Sequence, residues 1–391
     1  MDRLQHIATG GTSNGRKIVT VVNSLSPTSM PLNEFVAWRA RRLPNERHVV
    51  VSLAGTPSAG PGFESPDNVE ILTCAGRRGL FIRQARKLLR DESASGERTI
   101  VHCHQPRSGA LFQIASLGMR SRTPVLFTVH SMFSRYTQKT RAISAFNCLR
   151  ADQVTIVSHA ASDAFPDSVR RLRSDVFSVI PNGVDLERVD AIRASVDVER
   201  EERGSIGRRF ELVNVAMFGG PDKGHDFLLD VVGRVPDVGL TLVGDGGIRP
   251  RIEERVRDEG LSDRVRFTGL LSREAVYAEL LAADLFVSPS VREGLPIAVL
   301  EAMALDRPVL LSDIPPHREI LSKGEVLPLM PFDRTAWVEA IAQIAGRSTE
   351  SRRAEGDANR RIVERDFTLA RMHDAYTETY EMMIERGSRS G

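Results

Sequence analysis

Several things are scarce in this chain of 391 residues, and each scarcity removes a class of protein. It has three cysteines, two tryptophans and four tyrosines, and aromatic residues make up only 6%. Cys74, Cys103 and Cys148 are an odd number without metal-like spacing, which excludes a disulfide framework and fits free thiols in a reducing compartment. No run of about 18 apolar residues occurs, so no segment is expected to cross a bilayer. The stretch from Met1 to Arg16 has no apolar core and is rich in Gly, Ser and Thr, so it is expected to be a loose tail rather than a signal peptide, on a cytoplasmic protein. Internal repeats and low-complexity tracts are missing too.

Hydrophobic residues make up 41%, enough at this length for two domains of ordinary size. Net charge is only +2 but unevenly spread: residues 1–180 hold 24 basic and 13 acidic side chains, a net of +11 that the remainder offsets. The basic half reads either as scattered solvated arginines or as a patch for an anionic membrane or acceptor. Within it, Arg77 to Arg90 places Leu80, Phe81, Gln84, Leu88 and Leu89 near one helical face and Arg83, Arg86, Lys87 and Arg90 on others. Packing on a sheet with the arginines in water is the commoner fate of such a helix, and peripheral membrane contact is the other. No nucleic-acid partner is expected.

Apolar runs alternate with helical patterns along the chain, as in a parallel α/β sheet. Strands are expected at Lys17–Asn23, His48–Leu53, Thr99–His104, Pro124–His130, Ala151–Ser158 and Val176–Asp185, then at Leu212–Phe218, Leu240–Gly247, Asp263–Gly269, Leu285–Val287 and Pro308–Asp313. Helices are expected at Asn33–Leu43, from about His225, at Arg249–Glu259, Thr335–Ile344 and Phe367–Ile384, with a charged helix and linker over Arg188–Arg208. His102 and His104 fall on one side of their strand, too few for a metal site, and are expected to face a cleft and acceptor. His130 ends its strand at the edge where open α/β sheets bind ligands. Strand, Gly219-Gly220, Lys223-Gly224 and helix form a phosphate-loop layout, a weak signal alone.

The most informative stretch is Ser288 to Ala304, S-P-S-V-R-E-G-L-P-I-A-V-L-E-A-M-A. Its apolar strand runs into a Pro/Ser/Gly loop, and Pro296 suits a first helical residue because its missing N–H would be unpaired there. Glu293 then lies in the loop and Glu301 inside the helix, between Ile297, Ala298, Ala304 and Leu305. A carboxylate on an apolar face is costly to bury unless something bonds to it. A ribose diol would do so, while the N–H groups of Gly294, Leu295 and their neighbours at the helix tip suit a phosphate. From spacing alone, a cap at Glu293 and a chance buried-edge carboxylate at Glu301 explain the pattern equally well.

S-P-S-x-x-E-G-L-P-x-x-x-L-E-A-M-A resembles the E-x7-E signature of the family 4 retaining glycosyltransferases. The resemblance covers residues 16–386, most specifically in the second half. It implies a GT-B architecture: two Rossmann-like domains with parallel sheets facing each other across a cleft that takes a nucleotide sugar. It implies that Glu293 contacts the donor sugar, Glu301 the ribose, Lys223 the diphosphate with Gly219, Gly220 and the tip Gly294, Leu295 and Pro296, and Leu270 the base. T-V-H resembles the family position whose histidine reaches the donor sugar, which makes His130 a catalytic candidate with Glu293. Two departures stand out: Phe218 where the family often has Arg, and S-L-S-P-T-S-M-P-L where it usually has a Gly-Gly loop.

The implied organisation is a tail over 1–15, an acceptor-side domain over 16–182, a nucleotide-sugar domain over 183–366 and a helix over 367–386 crossing back. The implied reaction moves a hexose-type sugar from a UDP- or GDP-linked donor to a glycan or glycolipid acceptor of the cell envelope or a polysaccharide. Configuration is retained, and no metal or other cofactor is expected, because Lys223 and the helix tip would stabilise the leaving diphosphate. A GT-B epimerase and a degenerate, non-catalytic scaffold are the competing readings.

Overall fold

A computed structural model describes residues 15–25, 30–55, 66–95, 98–119, 123–201, 209–321 and 329–389. Residues 1–14 of the expected tail over 1–15, the middle of the first loop (26–29) and residues 202–208 of the expected linker lie outside the described residues. The chain divides into two compact units. The first holds the chain up to Val157, Ala161–Ile180 and the chain from His373 on; the second holds Ser158–Ala160 and Pro181–Met372. The expected α/β class with two parallel sheets is what the structure shows.

In the first unit seven strands run parallel: β1 (Arg16–Leu25), β2 (Arg47–Gly55), β3 (Val69–Thr73), β4 (Arg98–Cys103), β5 (Val125–Val129), β6 (Gln153–Ile156) and β7 (Phe177–Val179), in the order β3-β2-β1-β4-β5-β6-β7. Strand order reverses between β1 and β4, the place where such sheets open a crevice at their C-terminal ends. Alternation sends Val19, Val21, Val49, Val51, Val101, Phe127 and Val129 into one core. The helix Arg78–Ser95 covers it with Phe81, Ala85 and Leu89 and turns Arg83, Arg86, Lys87 and Arg90 outward. Fully burying each such Leu or Phe contributes about 1.5–3 kcal/mol, so sheet packing accounts for this helix without lipid.

The opposite face of this sheet is unusually polar. Thr20, His102, Thr128 and Thr155 lie buried there. Thr128 and Thr155 hydroxyls sit 2.6 Å apart, and the His102 ring bonds to Thr128 Oγ1 and to the Tyr380 hydroxyl, both at 2.7 Å. Tyr380 belongs to the helix Leu369–Arg389, which is held further by a buried cation: Arg39 bonds to Glu46 Oε2 at 3.0 Å and to Thr377 Oγ1 at 2.9 Å.

In the second unit five parallel strands, β8 (Phe210–Val215), β9 (Val238–Val243), β10 (Val265–Gly269), β11 (Leu285–Ser288) and β12 (Val309–Leu311), lie in the order β10-β9-β8-β11-β12. Here order reverses between β8 and β11. Leu212, Leu240, Leu242, Leu285 and Val287 form the core with Phe227, Leu228, Ile341 and Trp337, whose indole N–H reaches Pro331 O at 3.0 Å. Among the described residues, no helix is long and apolar enough to cross a membrane.

Pattern reading placed most strands within a few residues but overextended several, one of them most of all. Val176–Asp185 is a strand only over Phe177–Val179, because Pro181 and the turn after it break the ladder. It also passed over the short strand Val69–Thr73 and the helices Pro106–Ala115, Gln138–Arg150, Arg273–Ala282 and Thr349–Asp366. The last of these carries Arg and Glu on nearly every turn, and its buried line is thin: Gly356, Asn359, Ile362 and Val363.

Candidate functional site

The loops after β8 and β11 flank the reversal point of the second sheet, and they are joined at four places. Val291 N–H donates to Asp222 O at 2.9 Å, and the Arg292 guanidinium pairs with Asp222 at 2.7 Å. Lys223 Nζ sits 2.5 Å from Glu293 Oε1. Gly224 takes a left-handed φ of 70°, and a Cβ there would stand 2.7 Å from Pro289 O and 2.8 Å from its ring. Only glycine satisfies both conditions. The lysine and carboxylate singled out from sequence are therefore partners: the buried Glu293 charge is matched by an ammonium from the neighbouring loop. Around Gly219 and Gly220 nothing lies within 4 Å of a built Cβ, so packing does not demand glycine at either.

The tip of the helix Ile297–Ala304 is oriented by its carbonyls. Ser158 Oγ donates to Gly294 O at 2.8 Å and Asn182 Nδ2 to Leu295 O at 3.1 Å. Across a trans peptide the next N–H points the opposite way, so Leu295 N–H is turned away from Ser158. Pro296 is the capping residue, with φ −75° and ψ 108°, and the helix starts one residue later than expected. Ser290 O accepts from the Ser312 hydroxyl, and Ser312 O bonds to His317 Nδ1 at 2.8 Å. His317 is fully buried, and desolvation holds its pKa below the ordinary value.

Glu301 is buried as its apolar neighbours require. Its charge, however, is balanced inside the unit. Arg273 pairs with Oε1, and the Tyr277 hydroxyl stands 3.4 Å from the same oxygen. A guanidinium on the neighbouring helix thus already offsets the desolvation of Glu301, the part that the sequence suggested for a ribose diol.

Leu270 follows β10 and is 49% exposed. Phe218 is part of the core, stacked on His225 with ring centroids 4.0 Å apart. No side chain at that position reaches out where an arginine would.

His130 lies in the first unit, just past β5, half-buried. Its Nε2 is 3.0 Å from His104 Nδ1, and desolvation lowers its pKa to about 4, so it is neutral near pH 7. The His104 ring in turn lies against that of His102, with centroids 3.8 Å apart and the planes tilted by 32°. The expectation that His102 and His104 face an acceptor is corrected: both are buried, His102 locked by Thr128 and Tyr380 and His104 backing His130.

Two family profiles match the chain, "Glycosyltransferase Family 4" over residues 35–188 and "Glycosyl transferases group 1" over 209–347. The phosphatidyl-myo-inositol mannosyltransferase of Mycobacterium leprae is 30% identical over 302 residues, 73% of this chain and 73% of that protein. The chain belongs to glycosyltransferase family 4. The putative glycosyltransferase EpsF of Bacillus subtilis is 33% identical over 172 residues, but that match spans only 43% of this chain and 44% of EpsF. The crystal structure of Anabaena HepE in complex with UDP and glucose superposes with a TM-score of 0.76 at 18% identity, over 94% of this chain and 99% of that one, which shows a shared GT-B fold.

For this family 4 chain, the site residues that sequence reasoning missed are Asp222, Arg273, Tyr277, Ser312 and His317. Asp222, Arg273, Tyr277 and Ser312 each act on a motif residue from a distant segment, and His317 acts through Ser312. Only the spacing of Arg273 and Tyr277, four residues apart and hence on one helical face, carried any sequence signal.

Proposed function

We propose that this chain is a metal-independent, retaining glycosyltransferase that moves a hexose-type sugar from a UDP- or GDP-linked donor to a glycan or glycolipid acceptor in cell-envelope or polysaccharide biosynthesis. The observation that carries the reading is the Lys223–Glu293 pair held at the reversal point of the second sheet. A diphosphate arriving there competes for the ammonium, and Lys223 moving to it releases Glu293 to accept sugar hydroxyls. The cation and the unpaired first-turn N–H groups of the helix then face the charge that grows on the leaving diphosphate. Neutral His130 supplies a hydrogen-bond donor rather than a second cation. Gly219 and Gly220 let a phosphate approach the backbone, and Leu270 offers apolar surface to a base. The reading is supported by HepE, whose crystal structure is a complex with UDP and glucose, and by the Mycobacterium leprae relative, a phosphatidyl-myo-inositol mannosyltransferase. The basic helix Arg78–Ser95 offers a face for anionic lipid, and its binding is tested with anionic against neutral vesicles.

A second reading, a non-catalytic scaffold, draws support from Phe218, whose burial leaves no arginine at that position. Transfer from labelled UDP- and GDP-sugars, with and without chelator, separates the two. Lys223→Ala and Glu301→Ala are expected to abolish nucleotide-induced thermal shifts. Persistence of the shift in both variants would remove the site assignment, and binding without transfer or hydrolysis would favour the scaffold.

A further inference from the structure

Arg273 opens the helix Arg273–Ala282, and Tyr277 follows one turn later on the same face. The start of that helix is set by Ser272, whose hydroxyl accepts from Ala275 N–H at 3.3 Å. Both side chains converge on one atom of the neighbouring helix, Oε1 of Glu301. The Arg273 side chain is 10% exposed and that of Glu301 6%, so the pair is largely out of water. Stability alone does not call for such a pair, because exchanging a buried ion pair for packed apolar side chains is often neutral or favourable. What a two-point hold on one oxygen does achieve is direction: with Oε1 tied by a guanidinium and a phenol, the carboxylate cannot rotate, and Oε2 keeps one heading.

We propose that Arg273 and Tyr277 are positioning residues that aim Glu301 at a single ribose hydroxyl of the nucleotide donor. This rests on the donor-site reading above. A freely rotating carboxylate bridges both hydroxyls of a ribose diol; one clamped at Oε1 has a single oxygen to present. The same segment carries Leu270, so base contact and ribose aim would come from one stretch of chain, the loop and helix that follow β10. Recognition then favours ribonucleotides through one hydroxyl and is weakened when either clamp is removed, although neither residue touches the ligand.

Calorimetric titration tests this with UDP and GDP and their 2′-deoxy and 3′-deoxy forms, on wild type, Arg273→Ala, Arg273→Lys and Tyr277→Phe. Wild type is expected to lose roughly tenfold in affinity for one of the two deoxy forms and little for the other, as for one hydrogen bond to a charged group. In Arg273→Ala and Tyr277→Phe that penalty shrinks, with ribonucleotide binding weakened and deoxynucleotide binding unchanged, and Arg273→Lys restores part of it. If Arg273→Ala does not fold, Tyr277→Phe and Arg273→Lys carry the comparison. An identical deoxy penalty in all variants, or equal penalties for both hydroxyls in wild type, overturns the proposal. Wild type binding neither UDP nor GDP instead overturns the donor-site reading on which it rests.

Discussion

At the scale of single residues, the second unit handles its buried carboxylates by pairing each with a cation from another segment. Glu293 has Lys223, and Glu301 has Arg273. The two pairs differ in how easily they part. Lys223 is a compact point charge on a flexible stem, able to leave for a phosphate, whereas Arg273 is a planar fork that holds orientation. This predicts a separation of effects at Glu293. In Glu293→Gln, Lys223 loses its competing partner, so the affinity for UDP or GDP alone is expected to hold or rise. Transfer from the sugar nucleotide is expected to fall by roughly one to two orders of magnitude, because a donor-sugar contact made in the transition state is lost. Titration of the nucleotide together with initial rates decides it, and parallel losses in both would show Glu293 to be only a structural partner of Lys223.

At the scale of elements, two loops are made into one surface by contacts that tolerate little change. Gly224 combines a left-handed backbone with a carbonyl 2.7 Å from where a side chain would begin. Gly224→Ala is expected to cost about 1–3 kcal/mol from the backbone conformation, before the collision with Pro289 is added. The readouts are a lower melting temperature and weaker nucleotide binding, and an unchanged melting temperature would mean that the two loops are not joined as described. Helix boundaries here also show where pattern reading stops. Arg249–Asp258 and Arg334–Ala345 were legible because apolar periodicity and flanking turn residues agree. Arg273–Ala282 was passed over, and what Arg273 and Tyr277 face is visible only once the neighbouring helix is in place.

At the scale of the whole molecule, the two units carry unequal titration loads. In the first, desolvation lowers His48 and His130 to about 4 and holds His102, His104 and His373 well below the ordinary value. Unfolded, each returns to about 6.5, so the unfolded chain takes up protons first. The stability these groups confer is complete above about pH 6.5 and drains away as pH falls toward 4. The second unit has His225, lowered to about 4, and His317, also lowered. Against them it sets Glu355, which burial raises to about 7, so below that value the folded state holds its proton and gains stability as pH falls toward the unfolded carboxylate value. Acidification from pH 7.5 to 5 is therefore expected to lower hydrogen-exchange protection in β1, β4 and β5 more than in β8 and β11. Equal losses in both units, after correction for intrinsic exchange, would contradict this.

The sequence by itself determined the α/β class, the parallel sheets, most strand positions and the E-x7-E segment with its loop glutamate and its buried one. It did so because strand runs, turn residues and helix starts are written in neighbouring residues, and local sterics read them directly. Only the tertiary structure decided what each charged residue faces: that Lys223 meets Glu293, that Arg273 and Tyr277 hold Glu301, that His104 backs His130 and that Phe218 is core. Those side-chain pairings join segments from 24 to 70 positions apart. A pairing over such distances costs loop-closure entropy and is repaid by the packing of the whole sheet, which no local pattern reports.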